Sequence, residues 1–253
     1  MRVALVQYNP EFESPEINKQ RIRSLLEEYA PSADVLIFPE MTLTGFTMES
    51  AKFAETADGF SVNFFTELAQ KFDCHTLFGM IFKEGENIYN SLVHLNQKGS
   101  LVTRYDKVHP FSFADEHNHY RPGTHPVITD IDGLSFGLSI CYDVRFPELY
   151  RKYGKERVDV LVAIANWPKP RIAHWRTLLQ ARAIENQAFM IGVNRVGSDP
   201  LGVYTGYSSI INPKGEIVAE VENEETIIVA EVNEAEIRQV RNKFPFLDDI
   251  RLL

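Results

Sequence analysis

The sequence predicts a layered α/β protein, and three observations carry that expectation. Short β-rich runs alternate with helix-patterned stretches from the first residue onward. The second half of the chain repeats the theme of the first. Each half also holds a strand, an Asn-x-Lys-Gly turn and a returning strand, "HLNQKGSLVTRYD" in one and "IINPKGEIVAEV" in the other. If this echo is a true repeat, two such halves form two sheets packed face to face with helices outside, a four-layer α-β-β-α sandwich. Read as hairpin turns alone, the tetrapeptides carry no such meaning, since turns of this kind recur in unrelated sheets.

The elements follow in order. "RVALVQY" reads as a strand, and "SPEINKQRIRSLLEEYA" places Ile17, Ile22, Leu25, Leu26 and Tyr29 near helical spacing. "DVLIFPE" is a strand that stops at Pro39, followed by a helix around Val62 to Phe72, a strand at "HTLFGMIF" and strands on either side of "NQKG". The second half opens on the strand "LSFGLSICYD". A short helix "FPELYRKYG", a buried strand "VDVLVAIAN" and a long amphipathic helix "IAHWRTLLQARAIENQ" come next, then strands "FMIGVNRV" and "YSSIINP" and the turn "NPKG" into "EIVAEV". No Gly/Ser or Pro linker divides the halves, so residues 1–253 are read as one domain. Residues from about 240 to 253, "VRNKFPFLDDIRLL", make an apolar tail that either lies over its own body or reaches a second copy.

Composition removes several function classes. With 44% hydrophobic residues the 253-residue chain buries a large core. A net charge of −9 and no Lys/Arg-rich run leave no electrostatic footprint for nucleic acid or anionic membrane. The apolar stretch in "MRVALVQYNP" is too short for a secretory signal, and no segment approaches a membrane span, so a soluble cytoplasmic protein is expected. Only Cys74 and Cys141 are present, which favours reduced thiols over a disulfide framework.

Amide chemistry needs a nucleophile, a base and a positive group where an oxyanion develops. Three strand ends hold such groups: Glu40 after "DVLIFP", Lys107 after "LVTRYD" and Cys141 after "LSFGLSI". Taken singly, each has an ordinary explanation: a turn acid, a solvated lysine and a core thiol. Only the three together point to chemistry.

"FPEMTLTGF", "YDKVHPF" and "CYDVRFPE" resemble the three signature segments of the nitrilase superfamily, the carbon–nitrogen hydrolases, in the same order and at similar separations. The resemblance runs from the first strand almost to the C-terminus. It implies the four-layer sandwich and a catalytic triad on Glu40, Lys107 and Cys141. "ADEHNHY", "ANWPKPRIAHW", "QARAIENQAF", "NRVGSD" and "KFP" are similar to the omega-amidase branch, which hydrolyses the terminal amide of 2-oxoglutaramate and 2-oxosuccinamate. Related branches, acting on deaminated glutathione or N-carbamoyl amines, share most of the first three motifs.

On this resemblance Glu40 takes the Cys141 proton as sulfur attacks, Lys107 and the Tyr142 N–H stabilise the oxyanion, and a thioester is then hydrolysed. No metal or organic cofactor is required, and a homodimer is implied. Glu116 matches a family glutamate that positions substrate and supports the lysine. A 2-oxo dicarboxylate monoamide is anionic, so an arginine fork is expected to hold it; Arg145 and Arg171 are the candidates. Arg145 also has a structural alternative, pairing with Asp143 or Glu148. Phe113, Tyr142 and Trp167 are expected to wall the pocket. Arg182 and Glu185 are assigned to a buried structural or dimer-interface network. Two rival readings stand beside this one. In the first, His109, His117, His119 and His125, with Asp115 and Glu116, bind a transition metal. In the second, the sandwich is a non-catalytic scaffold.

Overall fold

The structure is a computed structural model and describes residues 1–252. The elements are β1 (Arg2–Gln7), α1 (Pro15–Tyr29), β2 (Val35–Ile37), α2 (Ser50–Phe53), α3 (Phe60–Phe72), β3 (His75–Glu84), β4 (Asn87–Leu95), β5 (Leu101–Asp106) and α4 (Glu116–His119). They continue with β6 (Ile128–Ile131), β7 (Leu134–Ile140), α5 (Pro147–Lys155), β8 (Val160–Ala165), α6 (Ile172–Asn186), β9 (Phe189–Asn194) and β10 (Val196–Asp199). The last are β11 (Gly202–Ile211), β12 (Ile217–Glu222), β13 (Thr226–Glu231) and α7 (Glu234–Lys243).

A six-stranded sheet runs β13-β1-β2-β3-β4-β5, and a seven-stranded sheet runs β10-β11-β9-β8-β7-β6 with β12 beside β11. The period of two in the strands divides the core between layers. Val3 and Leu5 of β1 join Val35, Ile37 and Leu77 against Leu138, Ile140 and Val162 of the second sheet. Ala4 and Val6 point the other way, onto Ile22, Leu25 and Leu26 of α1 and Phe64, Phe65 and Leu68 of α3. Trp175, Leu179 and Ala183 of α6 cover the outer face of the second sheet. Both faces of the central strands are therefore buried, and their sequences read as unbroken apolar runs. The result is the α-β-β-α sandwich expected for the nitrilase type.

Local differences have physical reasons. The buried stripe of α1 is Asn18, Ile22, Leu25 and Leu26, while Ile17 and Tyr29 are exposed. Asn18 replaces Ile17 on the inner face because its side chain accepts from the Glu11 N–H and donates to the carbonyls of Glu11 and Leu43, each at 2.7 Å. Strand β13 and helix α7 were not anticipated. β13 lies antiparallel to β1 in the first sheet, so the end of the chain returns to its beginning. α7 begins at Asn233, whose side chain accepts from the Ala235 N–H. The tail after α7 is partly docked on its own body: Leu247 is buried and Gln187 donates to the Phe244 carbonyl at 2.7 Å, while Phe246 is exposed. No helix among the described residues is long and apolar enough to cross a membrane.

Candidate active site

Three turns bring the predicted side chains together. Glu40 follows β2 in a turn held against β3, where the Thr42 N–H donates to the Gly79 carbonyl at 2.9 Å and the Gly79 N–H donates to Thr42 Oγ1 at 3.0 Å. This approach needs a glycine: a Cβ at Gly79 would lie 2.4 Å from the Met41 nitrogen and 2.7 Å from the Glu40 Cα. Lys107 follows β5, its N–H bonded to the Asn90 carbonyl at 2.9 Å and its carbonyl accepting from the Gly123 N–H at 2.8 Å.

Cys141 follows β7 directly and opens a 3-10 turn, Cys141–Arg145, with φ of 47°. A non-glycine residue in the left-handed region costs about 1–2 kcal/mol and persists only where the surroundings impose it. Here Asp143 imposes it. Its buried carboxylate accepts from the Ile140 N–H at 2.9 Å, the Tyr105 hydroxyl at 2.8 Å and the His109 N–H at 3.0 Å, tying the turn to the Lys107 segment. Arg182 adds a second brace, donating from Nε and Nη2 to the Val144 carbonyl at 3.0 and 2.8 Å while Nη1 bonds Glu185 at 2.8 Å. The Arg182–Glu185 pair thus supports the cysteine turn from behind. As the first turn of a short helix, Cys141–Arg145 leaves the Tyr142 N–H without an intrahelical partner.

Lys107 Nζ donates to Glu40 Oε1 at 2.8 Å and to both Glu116 oxygens at 3.1 and 2.9 Å. Burial raises the Glu40 carboxyl, but the Lys107 charge and hydrogen bonds from Lys107, Asn90 and the Asn166 N–H outweigh it and hold Glu40 below the usual carboxylate range. Burial lowers Lys107, yet the carboxylates of Glu116 and Glu40 lift it well above an ordinary lysine. Burial and then the Glu40 charge push the Cys141 thiol well above its usual value, against the pull of Lys107. The resting set is a neutral thiol beside an ionised carboxylate and an ammonium.

These groups line a cavity of about 510 Å³ with Phe46, Phe111, Phe113, Tyr142, Arg145, Asn166, Trp167, Arg171 and Tyr204 among its walls. Phe113, Tyr142 and Trp167 are all present there, Phe113 at the mouth and 85% exposed. Arg145 and Arg171 both face the cavity. Arg145 does not pair with Asp143 or Glu148: its guanidinium lies over the Trp167 ring at 4.8 Å and touches His174 Nδ1 at 3.3 Å, because Asp143 is spent on the cysteine turn. Arg171 lies over Phe111 at 5.4 Å. Glu116 is wholly buried behind Lys107 and is not a wall of the cavity, so it braces the lysine without reaching the space itself.

The histidines do not converge. His109 bonds Asp143 and stacks on Phe146, His119 lies 3.5 Å from Asp115, and His125 contacts Thr124. Sequence reasoning missed Asn90 and Asn166. Asn90 Nδ2 bonds Glu40 Oε1 at 2.7 Å and Glu116 Oε1 at 2.8 Å; Asn166 bonds Glu40 through its N–H at 2.9 Å. A signal existed for Asn166, a lone polar residue closing the apolar run "VDVLVAIA", the same pattern that drew attention to Cys141.

A thiol, an ionised carboxylate and an ammonium line one cavity at strand ends of a four-layer sandwich, an arrangement able to attack a carbonyl carbon and expel its nitrogen. The chain belongs to the carbon-nitrogen hydrolase family, whose model matches residues 2–242. It is 34% identical to a 2-oxoglutaramate amidase of Bacillus subtilis over 98% of this chain and 97% of that protein. It is 42% identical to omega-amidase YafV of Escherichia coli over 85% of this chain and 84% of that protein. Among solved structures, a CN-hydrolase superfamily protein of Xanthomonas campestris with an arsenic adduct in its active site has a TM-score of 0.94 at 31% identity, covering 100% of this chain and 98% of its own.

Proposed function

We propose that this enzyme hydrolyses the terminal amide of small 2-oxo dicarboxylate monoamides, 2-oxoglutaramate and 2-oxosuccinamate, to the acid and ammonia. One observation carries the reading: Cys141, Glu40 and Lys107 share a cavity with Arg145 and Arg171, guanidiniums that have no carboxylate partner among the described residues. The relatives named 2-oxoglutaramate amidase and omega-amidase support it.

Glu40 accepts the thiol proton as Cys141 Sγ attacks the amide carbon, and the oxyanion is met by Lys107 and the Tyr142 N–H. The carbon–nitrogen bond breaks as Glu40 returns the proton to nitrogen, releasing ammonia. Water, activated by Glu40, then cleaves the thioester and frees the thiol. Glu116 holds Lys107 in place throughout. Arg171 or Arg145 grips the distal carboxylate, while Phe113, Tyr142 and Trp167 shape the space around the carbon chain. The proposal includes a homodimer and a cytoplasmic setting, tested by sedimentation mass and by cell fractionation.

The test is ammonia release from a panel of amides by wild type, Cys141→Ala, Arg145→Ala and Arg171→Ala. Wild type is expected to turn over 2-oxoglutaramate and Cys141→Ala to be inert. At least one arginine variant should raise KM roughly 10–100-fold, the worth of a charged hydrogen bond. Hydrolysis of an N-carbamoyl amine or deaminated glutathione in place of 2-oxoglutaramate would sink the substrate assignment. Equal activity of Cys141→Ala would sink the mechanism.

A further inference from the structure

Two buried carboxylates, Glu40 and Glu116, share one ammonium, Lys107. Acids held this close ordinarily share a proton, because both cannot ionise without mutual repulsion. A shared proton would disable the base. The groups facing the pair are Lys107, the Cys141 thiol and the phenol of Tyr120, and Lys107 alone brings positive charge.

The hydrogen-bond inventory shows what replaces a second cation. Glu116 accepts at Oε1 from Lys107 and Asn90, and at Oε2 from Lys107 and the Phe111 N–H, the last at 2.5 Å. Its oxygens are filled. Glu40 Oε1 accepts from Lys107 and Asn90, and Oε2 accepts from the Asn166 N–H at 2.9 Å, with Asn166 Nδ2 a distant 3.5 Å. The pair therefore keeps one weakly used acceptor position, on Glu40 Oε2. Two side-chain nitrogens, Lys107 Nζ and Asn90 Nδ2, bridge the two Oε1 atoms, the positions at which the acids would otherwise share a proton, and of the two only Asn90 does so without charge. Asn90 is 1% exposed, its own carbonyl holds the Lys107 N–H, and it does not line the cavity.

We propose that Asn90 is a positioning residue that keeps the two carboxylates from sharing a proton and directs proton transfer to Glu40 Oε2. The inference rests on Glu40 being the base, but not on the identity of the amide. Its neutral N–H bonds occupy the shared face without adding charge. Tyr120 takes no part, since its hydroxyl donates to the Thr47 carbonyl at 2.6 Å.

The experiment is the pH dependence of Cys141 alkylation by acrylamide, a neutral electrophile that reports base-assisted thiol attack whatever the natural substrate. Wild type is compared with Asn90→Leu and Asn90→Ser, with kcat/KM measured in parallel. In each variant the acid limb is expected to move alkaline by about one pH unit or more, the size expected for a lost hydrogen bond to a carboxylate. Alkylation at mildly acidic pH should fall and recover as pH is raised toward neutrality. A proportional loss at every pH, or no loss, would overturn the proposal. So would two variants that fail to fold, since Asn90 would then serve stability alone. An acid limb that shifts for alkylation while no tested amide is hydrolysed would uphold Asn90 and remove only the substrate assignment.

Discussion

Asn166 and Glu40, 126 residues apart, are joined twice: the Asn166 N–H donates to Glu40 Oε2 at 2.9 Å, and its side-chain Nδ2 donates to the Glu40 backbone oxygen at 2.7 Å. The contact crosses the sandwich, tying the turn after β2 in one sheet to the end of β8 in the other. Position and charge state of the Glu40 carboxylate therefore depend on how the two sheets stack.

Asn166→Ala keeps the backbone donor and strands the buried Glu40 carbonyl. Urea unfolding is expected to show a loss of about 1–3 kcal/mol, the cost of an unsatisfied buried acceptor. Steady-state kinetics should show kcat lowered by about 10-fold with KM little changed, because the base loses its fixed position. Wild-type kcat in a destabilised variant would contradict this.

Gly79→Ala drives a methyl group into the Glu40 turn, where backbone atoms stand 2.4 and 2.7 Å from the new Cβ. Backbone yields less readily than a side-chain tip, so a loss of about 1–3 kcal/mol is expected, as for other overpacked interiors. Activity should fall further than stability alone explains. Thermal unfolding and ammonia release, measured together, separate the two effects.

The pKa directions fix the pH behaviour. Glu40 is depressed below 4.5, so its contribution to stability is present above that value and lost as pH falls through its lower folded-state pKa. Lys107 is raised above 10.5, so its contribution is complete below that value and disappears only as pH climbs through the folded-state pKa. Cys141 lies well above 9.0. With an ionised Glu40 taking the proton, its alkylation in wild type is expected to stay flat from neutral pH past 9.0. A tenfold rise per pH unit between 7 and 9 would show reaction through the free thiolate and refute attack assisted by Glu40.

A second buried pair stands away from the cavity. His75 Nδ1 and His94 Nε2 are 2.8 Å apart, His94 Nδ1 meets Thr129 Oγ1 at 2.8 Å, and Asp132 lies 3.6 Å from His75 Nε2. Burial, aided by His75, lowers His94 to about 3, so it stays neutral in the fold while an unfolded histidine takes up a proton below 6.5. The stability from this group is full above pH 6.5 and drains away as pH falls toward 3. Urea unfolding should show wild type losing about 2 kcal/mol more than His94→Gln between pH 6.5 and 4.5. Parallel stability curves for the two proteins would rule this out.

Much of this protein was legible before folding was considered. Strand and helix order follow from hydrophobic spacing, which is local and survives in one dimension. Glu40, Lys107 and Cys141 each had an ordinary explanation alone, and were readable because three strand ends together carry a base, a cation and a thiol within segments that resemble the family's signatures. Read through its resemblance to the family, the sequence by itself determined the layers and nominated the reacting groups. The tertiary structure alone decided how those groups are charged and held. Asn90 and Asn166 matter because two sheets stack, Asp143 because it is claimed by Tyr105 and His109, and Arg145 because that claim leaves it unpaired and facing the cavity. Hydrogen bonds between residues tens to more than a hundred positions apart leave no periodic trace along the chain. They also set the electrostatics, since a buried charge takes its pKa from its neighbours in space.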